Sequence, residues 1–377
     1  MNREERRKAF IKECSFNEAV RNTAIEADQI INERGYKDIL VTISGGADSD
    51  VVMDVLYNID IHERCRYLWI DTGLEYDATR THVDELEAKY GIRIQKKRAG
   101  ISVPDAIMAD GQPFVSKRAA DYIHRLQKHD FQWEDEPLPV LLEKYCKKPT
   151  DDKRRELEEY RKKTGKNKRP WVYLANEWYT GCTAALRWWC DSWGESSKFN
   201  IKRNKLLKEF MVENPPDFRI SASCCKSKRI MIAEAIKDTK ADLNICGVRK
   251  DEGGQRSTAY PGCFTKKKDG CDEYRPIFLW SMADRKAYED HFGIRHSECY
   301  YSYGLSRTGC CGCPFGRNIE GEMDAARKFD KKLYGKAGII FRDAHAYSKK
   351  YKEYVDKNMK PPEEWKQLSI FDLGFTF

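Results

Sequence analysis

The run Asp38-Ile39-Leu40-Val41-Thr42-Ile43, the small-residue turn Ser44-Gly45-Gly46-Ala47-Asp48-Ser49 and the helically spaced apolar residues of Asp50 to Ile59 constrain this chain most. A β-branched stretch delivered through glycines into a helix predicts strand, tight loop, helix. Glycine reaches backbone angles other residues resist, Ser44 and Ser49 add hydroxyls, and the helix starting near Asp50 offers unpaired N–H groups and its positive dipole end. The loop is expected to grip phosphate. It is not a Walker loop, because the Gly-Lys-Ser/Thr ending is missing, and it lacks the Gly-x-Gly-x-x-Gly of a dinucleotide site. Asp48 is expected to hold magnesium on the phosphates, since that ion favours carboxylate with phosphate oxygen. A glycine-rich turn with no ligand is the alternative.

The alternation continues. Arg66 to Ile70 predicts a second strand ending at Asp71-Thr72-Gly73, Asp77 to Tyr90 a helix, Ile92 to Gln95 a third strand, residues 228–237 a helix and Ala241 to Val248 another core strand. This spacing argues for βαβ units in an α/β fold with a doubly wound, mostly parallel sheet, which binds ligands beyond the carboxyl ends of its strands. Residues 4–34 predict a helix stopped by Gly35. The expected organisation is an N-terminal helical segment (1–35), a nucleotide-binding domain in two parts (36–145 and 220–300), a basic, Trp-rich insertion (146–219), and a cysteine-bearing loop with a helical basic tail (301–377).

Between Lys147 and Arg169 stand eleven Lys/Arg against five Asp/Glu, which accounts for most of a net charge of +8. Trp171, Trp178, Trp188, Trp189 and Trp193 follow. Lysines that track a phosphate backbone beside aromatic faces that stack bases would give a nucleic-acid contact through 147–193. The same residues also read as a solvated helix and, at the spacing of Leu186, Trp189 and Trp193, as core. The charged N-terminus leads into no apolar segment, and no stretch approaches the roughly 18 apolar residues of a membrane span, so a soluble, cytoplasmic protein with no membrane partner is expected. Fourteen cysteines without a secretory signal point to thiols kept reduced for metal binding or chemistry.

Cys224-Cys225 and Cys310-Cys311-Gly312-Cys313 are the two dense cysteine sites. Four thiolates suit an iron-sulfur cluster or a structural zinc, and the cysteines alone leave both open. Around them, in order, come Ser223-Cys224-Cys225-Lys226, Gly247-Val248-Arg249-Lys250-Asp251-Glu252 with Arg256, Pro276-Ile277 with Trp280, and Tyr303-Gly304-Leu305-Ser306-Arg307-Thr308-Gly309-Cys310 ending in Cys313-Pro314. Together with Ser44 to Ser49 and Asp71-Thr72-Gly73, these closely resemble the phosphoadenosine phosphosulfate reductase family of the PP-loop, or adenine nucleotide alpha hydrolase, superfamily, in its cluster-bearing branch. Many members carry lysine where this chain has Ala47. The resemblance implies a 4Fe-4S cluster on Cys224, Cys225, Cys310 and Cys313, with Arg249 and Arg256 facing phosphate or sulfate oxygens. It further places Asp71 to Gly73 along the adenosine and Lys117, in Gly111-Gln112-Pro113-Phe114-Val115-Ser116-Lys117, within reach of phosphate. Cys311 is expected to be an alternative ligand or a sulfur acceptor. Cys14, Cys65, Cys146, Cys182, Cys190, Cys246, Cys263, Cys271 and Cys299 read as small buried or surface residues.

Sulfonucleotide reductases carry a nucleophilic cysteine near the C-terminus, and no cysteine follows Cys313 here. The expectation is therefore an enzyme that binds ATP with Mg2+, splits it to AMP and pyrophosphate, and activates a substrate for sulfur transfer. Its sulfur would come from a donor protein such as a cysteine desulfurase, and nucleic acid is one acceptor class, as in the resembling DNA phosphorothioation and RNA thiolation enzymes. Sulfonucleotide reduction is the alternative. Gln367-Leu368-Ser369-Ile370-Phe371 also resembles the short peptide that docks bacterial proteins on the replication sliding clamp, which would make the chain a nucleotide-binding interaction module.

Overall fold

Alternating apolar residues bury both faces of one strand only when helices cover both sides of a sheet. In Ile39-Leu40-Val41-Thr42-Ile43 the odd positions pack with Val51, Val52 and Val55, while Leu40 packs on the other face with Leu68, Ile70 and Ala235. The computed structural model describes residues 1–168, 171–252, 259–268 and 270–359. Among them the strands are β1 (Ile39–Ile43), β2 (Cys65–Asp71), β3 (Ile94–Arg98), β4 (Val172–Leu174), β5 (Glu177–Tyr179), β6 (Leu243–Cys246), β7 (Phe264–Thr265) and β8 (Asp272–Tyr274). Six make one sheet in the order β3-β2-β1-β6-β8-β7, parallel except for β7 against β8. This is the expected α/β, doubly wound architecture. The order reverses at β1, which lies between β2 and β6, so the loops after these three strands meet at one carboxyl edge.

The chain divides into two compact units, the first formed by Met1–Ala106 with Cys224–Ile340 and the second by Ile107–Ser223 with the segment from Phe341 onward. The first holds the sheet. Its N-terminal helices are α1 (Arg3–Glu13) and α2 (Glu18–Asp28), a pair where the sequence predicts one helix. The break has a local cause: the Asn17 side chain accepts from the Val20 amide and caps a new helix. Helix α3 spans Ala47–Ile59 and α4 spans Asp77–Tyr90, the latter ended by Gly91 in the left-handed conformation. Helix α3 thus begins at Ala47, three residues before the expected start. Helix Lys226–Thr239 covers the opposite face through Met231, Ile232, Ala235 and Ile236.

The second unit differs from the expected insertion at 146–219. Helix Lys117–Gln127 packs on helix Thr183–Trp189, with Tyr122 stacked on Trp188, and Phe131 lies edge-on to Trp189. These rings draw residues 107–145 into one core with the Trp-rich segment. Helix Arg342–Asn358 joins the same unit rather than forming a tail with the cysteine loop, since Tyr347 packs on Phe114 and Phe210 and donates to the Asn214 carbonyl. Trp178, Trp188 and Trp189 are fully buried, and Arg187 covers the Trp193 ring at 4.0 Å. The three buried rings are spent on packing, which removes them as base-stacking surfaces. Lys153 and Lys168 of the basic run pair with Glu156 within it. Among the described residues no helix is long and apolar enough to cross a membrane. The clamp-like stretch 367–371 lies outside the described residues.

Two hydrogen bonds at buried Thr23 tie α2 to the far half of the sheet unit: the Trp280 indole donates to Thr23 Oγ1 at 2.8 Å, and that hydroxyl donates to the Pro276 carbonyl at 3.3 Å. Replacing Thr23 by the isosteric valine leaves that indole unpaired. Thr23→Val should cost about 1–3 kcal/mol in urea denaturation, and Thr23→Ser well under half of that.

Candidate functional site

The loop between β1 and α3 owes its shape to two glycines and one serine. Gly45 has φ +69°, and a Cβ there would meet Thr79 Cγ2 at 2.8 Å. A Cβ on Gly46 would meet Thr308 Oγ1 at 2.8 Å and Tyr300 OH at 3.2 Å. Buried Ser49 turns inward: its hydroxyl donates to the Gly46 carbonyl at 2.7 Å and accepts from the Gly46 amide at 3.2 Å and the Ser44 amide at 3.3 Å. Ser49 therefore shapes the loop from within, whereas Ser44 is exposed. Beneath them, a Cβ on Gly247, just past β6, would lie 2.7 Å from the Asp48 carbonyl oxygen and 2.9 Å from the Ser49 amide. That approach fits glycine alone.

Asp48 is engaged on one carboxylate oxygen in this arrangement. Its Oδ1 accepts from Arg249 Nε at 2.8 Å and from Arg285 Nη1 at 3.0 Å. The aspartate holds two guanidiniums at the helix N-terminus. Arg249 is 2% exposed, and its Nη1 makes no hydrogen bond, lying 3.6 Å from the Asp251 carboxylate. A buried donor of this kind suits an oxyanion. Arg285, which the sequence reading missed, sits on helix Met282–Phe292, whose Ser281-to-Asp284 capping box is a readable helix start.

Two residues further along the first turn of α3, the buried Asp50 carboxylate contacts His82 Nε2 at 2.9 Å and His296 Nδ1 at 2.8 Å, and His296 Nε2 lies 3.0 Å from Glu289. Burial pulls the Asp50 pKa upward, but its hydrogen bonds to His296 and His82 outweigh that and hold it below the ordinary value. For His296 burial works against the charged form, yet the bonds to Asp50 and Glu289 push it up to about 9. Glu289 also pairs with Arg285 at 2.9 Å, so the histidine network and the arginine pair share a residue.

Past β2, the Asp71 carboxylate is engaged by Arg80 and by the Gly73 amide. Thr72 gives its amide and its hydroxyl to Glu75 Oε2 at 2.8 and 2.6 Å. Glu75, 2% exposed, takes Lys228 Nζ on its other oxygen at 2.8 Å, and its backbone forms a bridge with Cys310. Thr72 Oγ1 lies 3.4 Å from Cys310 Sγ. Glu75 and Lys228 were missed as well, although Thr72-Gly73-Leu74-Glu75 has the spacing of a capping box.

Of the four expected cluster cysteines, Cys224 and Cys225 are hydrogen-bonded to each other, and Cys310 and Cys313 lie near enough to act on Cys224 through their charge. Proximity to Cys225, together with burial and the charges of Cys313 and Cys310, raises the Cys224 thiol, and burial raises Cys310 and takes Cys313 up to about 12. Among the described residues no three His, Cys, Asp or Glu side chains are grouped to hold a metal ion. Cys311 points elsewhere: it is fully buried, its amide donates to the Leu74 carbonyl, and its thiol, hydrogen-bonded to Tyr76, is pushed up to about 12 by burial. Lys117 belongs to the second unit, exposed at the start of helix Lys117–Gln127. Arg256 lies outside the described residues.

The segment that brings Cys310 into the site also roofs the phosphate loop. Tyr300 OH accepts from the Ala47 amide at 3.0 Å, and Thr308 is hydrogen-bonded to Tyr300. The loop and the cysteines therefore share one wall.

Gly247→Ala drives a methyl group into the Asp48 backbone, which cannot yield as a side chain would. It should lower stability by about 1–3 kcal/mol in denaturation and weaken nucleotide binding in calorimetry. His296 gives a pH dependence. Its raised folded-state pKa means the stabilisation is complete below the free histidine value and is lost as pH rises through about 9. Urea titrations across that window should show a loss on the order of 3 kcal/mol in the wild type and a flat profile in His296→Gln.

Residues 38–164, about a third of the chain, match the phosphoadenosine phosphosulfate reductase domain. No curated protein sequence matches the chain. Among solved structures, phosphoadenylyl-sulfate reductase from Candida auris in a phosphate complex is 14% identical, with 75% of this chain and 87% of that one covered, at a TM-score of 0.35. The U34-tRNA thiolase NcsA from Methanococcus maripaludis, with its 4Fe-4S cluster, is 10% identical over 91% of this chain and 80% of its own, at 0.34. An NH3-dependent NAD synthetase from Campylobacter jejuni, in complex with nitrate, is 10% identical over 96% and 99%, at 0.32. These superpositions are too loose to bear on the site. The family match covers β1, the phosphate loop and α3, so over 38–164 the chain is similar to the phosphoadenosine phosphosulfate reductase domain.

Proposed function

We propose that the chain binds ATP on the phosphate loop, splits it to AMP and pyrophosphate, and couples this activation to sulfur transfer at a cysteine-held 4Fe-4S cluster. The observation that carries it is the shared wall: Tyr300 and Thr308 contact the loop at Ala47 and Gly46, and two residues further on Cys310 meets Thr72 and Glu75. A nucleotide seated there has its phosphates beside the cysteines.

The N-terminus of α3 and the buried guanidinium of Arg249 present donors to the phosphates, and Asp48 fixes the aim of Arg249 and Arg285. Attack on the α-phosphorus by an acceptor oxygen or carbonyl expels pyrophosphate, whose charge such preorganised donors stabilise. Cys224, Cys225, Cys310 and Cys313 would hold the cluster, which supplies thiophilic iron for handling sulfur. Lys228, paired to Glu75, keeps a positive charge by Cys310. The sulfur source is a donor such as a cysteine desulfurase, in a reducing, cytoplasmic setting, and nucleic acid is the acceptor class to test first.

Anaerobically purified full-length protein should contain iron and sulfide and release pyrophosphate from ATP when its acceptor is present. Cys310→Ser should lose most of the iron and the sulfur transfer while still binding ATP. Zinc in place of iron, or sulfite release from a sulfonucleotide with no pyrophosphate from ATP, would overturn this reading.

A further inference from the structure

The second unit contains a pair of cysteines far apart in sequence and adjacent in space. Cys146 follows helix Leu138–Tyr145, and Cys182 precedes helix Thr183–Trp189. Their Sγ atoms are 3.9 Å apart across 36 residues of chain. Two backbone hydrogen bonds between Lys147 and Thr180, at 3.3 and 3.0 Å, fasten the two strands of chain beside the pair. Phe131, Tyr145 and Trp189 pack around the same region, so neither end drifts freely.

We propose that Cys146 and Cys182 are a redox-modification site that closes to a disulfide by exchange with a low-molecular-weight disulfide, fastening the loop that carries the basic helix Asp151–Thr164 and the β4–β5 hairpin. The partly exposed Cys146 meets the oxidant first. Its thiolate attacks one sulfur of the small disulfide, forming a mixed disulfide and releasing one thiol. Cys182, 1% exposed, then attacks Cys146 Sγ, which forms the protein disulfide and releases the second thiol. Two protein thiols are oxidised and one small disulfide is reduced to two thiols, with the two protons leaving on those products.

The geometry favours closure. A disulfide sets its sulfurs about 2.05 Å apart, and a start at 3.9 Å asks for side-chain rotation rather than backbone rearrangement. The contact between the two thiols lowers Cys182 and raises Cys146, so the pair shares one proton and gives up the other more readily than two separate buried thiols would. The closed loop spans almost the whole basic segment of the chain, so the bond restrains that segment and leaves its charge intact.

The test uses full-length protein equilibrated in oxidised and reduced glutathione, trapped with an alkylating reagent, digested and read by mass spectrometry. The expected result is the loss of alkylation at Cys146 and Cys182 together and one cross-linked peptide joining them, reversed by a reducing thiol. In Cys146→Ser, Cys182 should stay alkylated in every buffer. Limited trypsin cleavage within 153–168 should slow by roughly threefold or more in oxidised wild type and remain unchanged in Cys146→Ser. Full alkylation of both cysteines in oxidising buffer, stable glutathionylation of Cys146 without the cross-link, or a cross-link from either residue to a different cysteine would overturn the proposal.

Discussion

Two carboxylates in the first turn of α3 organise the sheet unit. Asp48 takes Arg249 and Arg285, and Asp50 takes His296 together with His82. Arg249, Arg285 and His296 come from the second half of the unit, more than two hundred residues along the chain, so these contacts close the fold over the phosphate loop. Acidic side chains are favoured at a helix N-terminus, and each of these is compensated by a cation or a hydrogen-bond donor. Removing one partner of a buried ion pair costs about 3–5 kcal/mol, because the remaining charge stays buried. The loop is thus held by electrostatics from below and by the absence of a Cβ at Gly247, Gly45 and Gly46 on its flanks.

The same economy joins the loop to the cysteines. One segment, Tyr300 to Cys313, supplies the hydroxyl that accepts from Ala47, the threonine against Gly46, and two of the four thiols. The turn after β2 meets it from the other side through Thr72 and Glu75. Any shift of this segment moves its contacts with the loop at Ala47 and Gly46 and the thiols of Cys310 and Cys313 together. Such coupling is what an enzyme needs if activation and sulfur handling act on one substrate.

Much of this was legible in the sequence where short-range pattern carries the information. The β1–loop–α3 unit follows from β-branched residues, glycines and helical spacing, and the four cysteines announce themselves by density. The missed residues depend on long-range placement. Arg285 is one of many arginines until the sheet puts it against Asp48, and His82, His296 and Asp50 share no motif. Ser49 looked like a phosphate donor because its type fits, but the tightness of the turn aims its hydroxyl inward. The tryptophans looked equally suited to bases and to a core, and only packing decides between them: Trp188 and Trp189 are buried by Tyr122 and Phe131. The break at Asn17 was present as an N-cap residue, outweighed by the apolar spacing on both sides of it.

The central claim is that nucleotide and cysteine centre occupy one site. Its most direct test is a titration of the anaerobic, iron-containing protein with ATP, following the visible absorption and resonance Raman bands of the cluster. A saturable spectral change with the same midpoint as calorimetric ATP binding is the predicted result. ATP binding that leaves every cluster band unmoved would contradict the account.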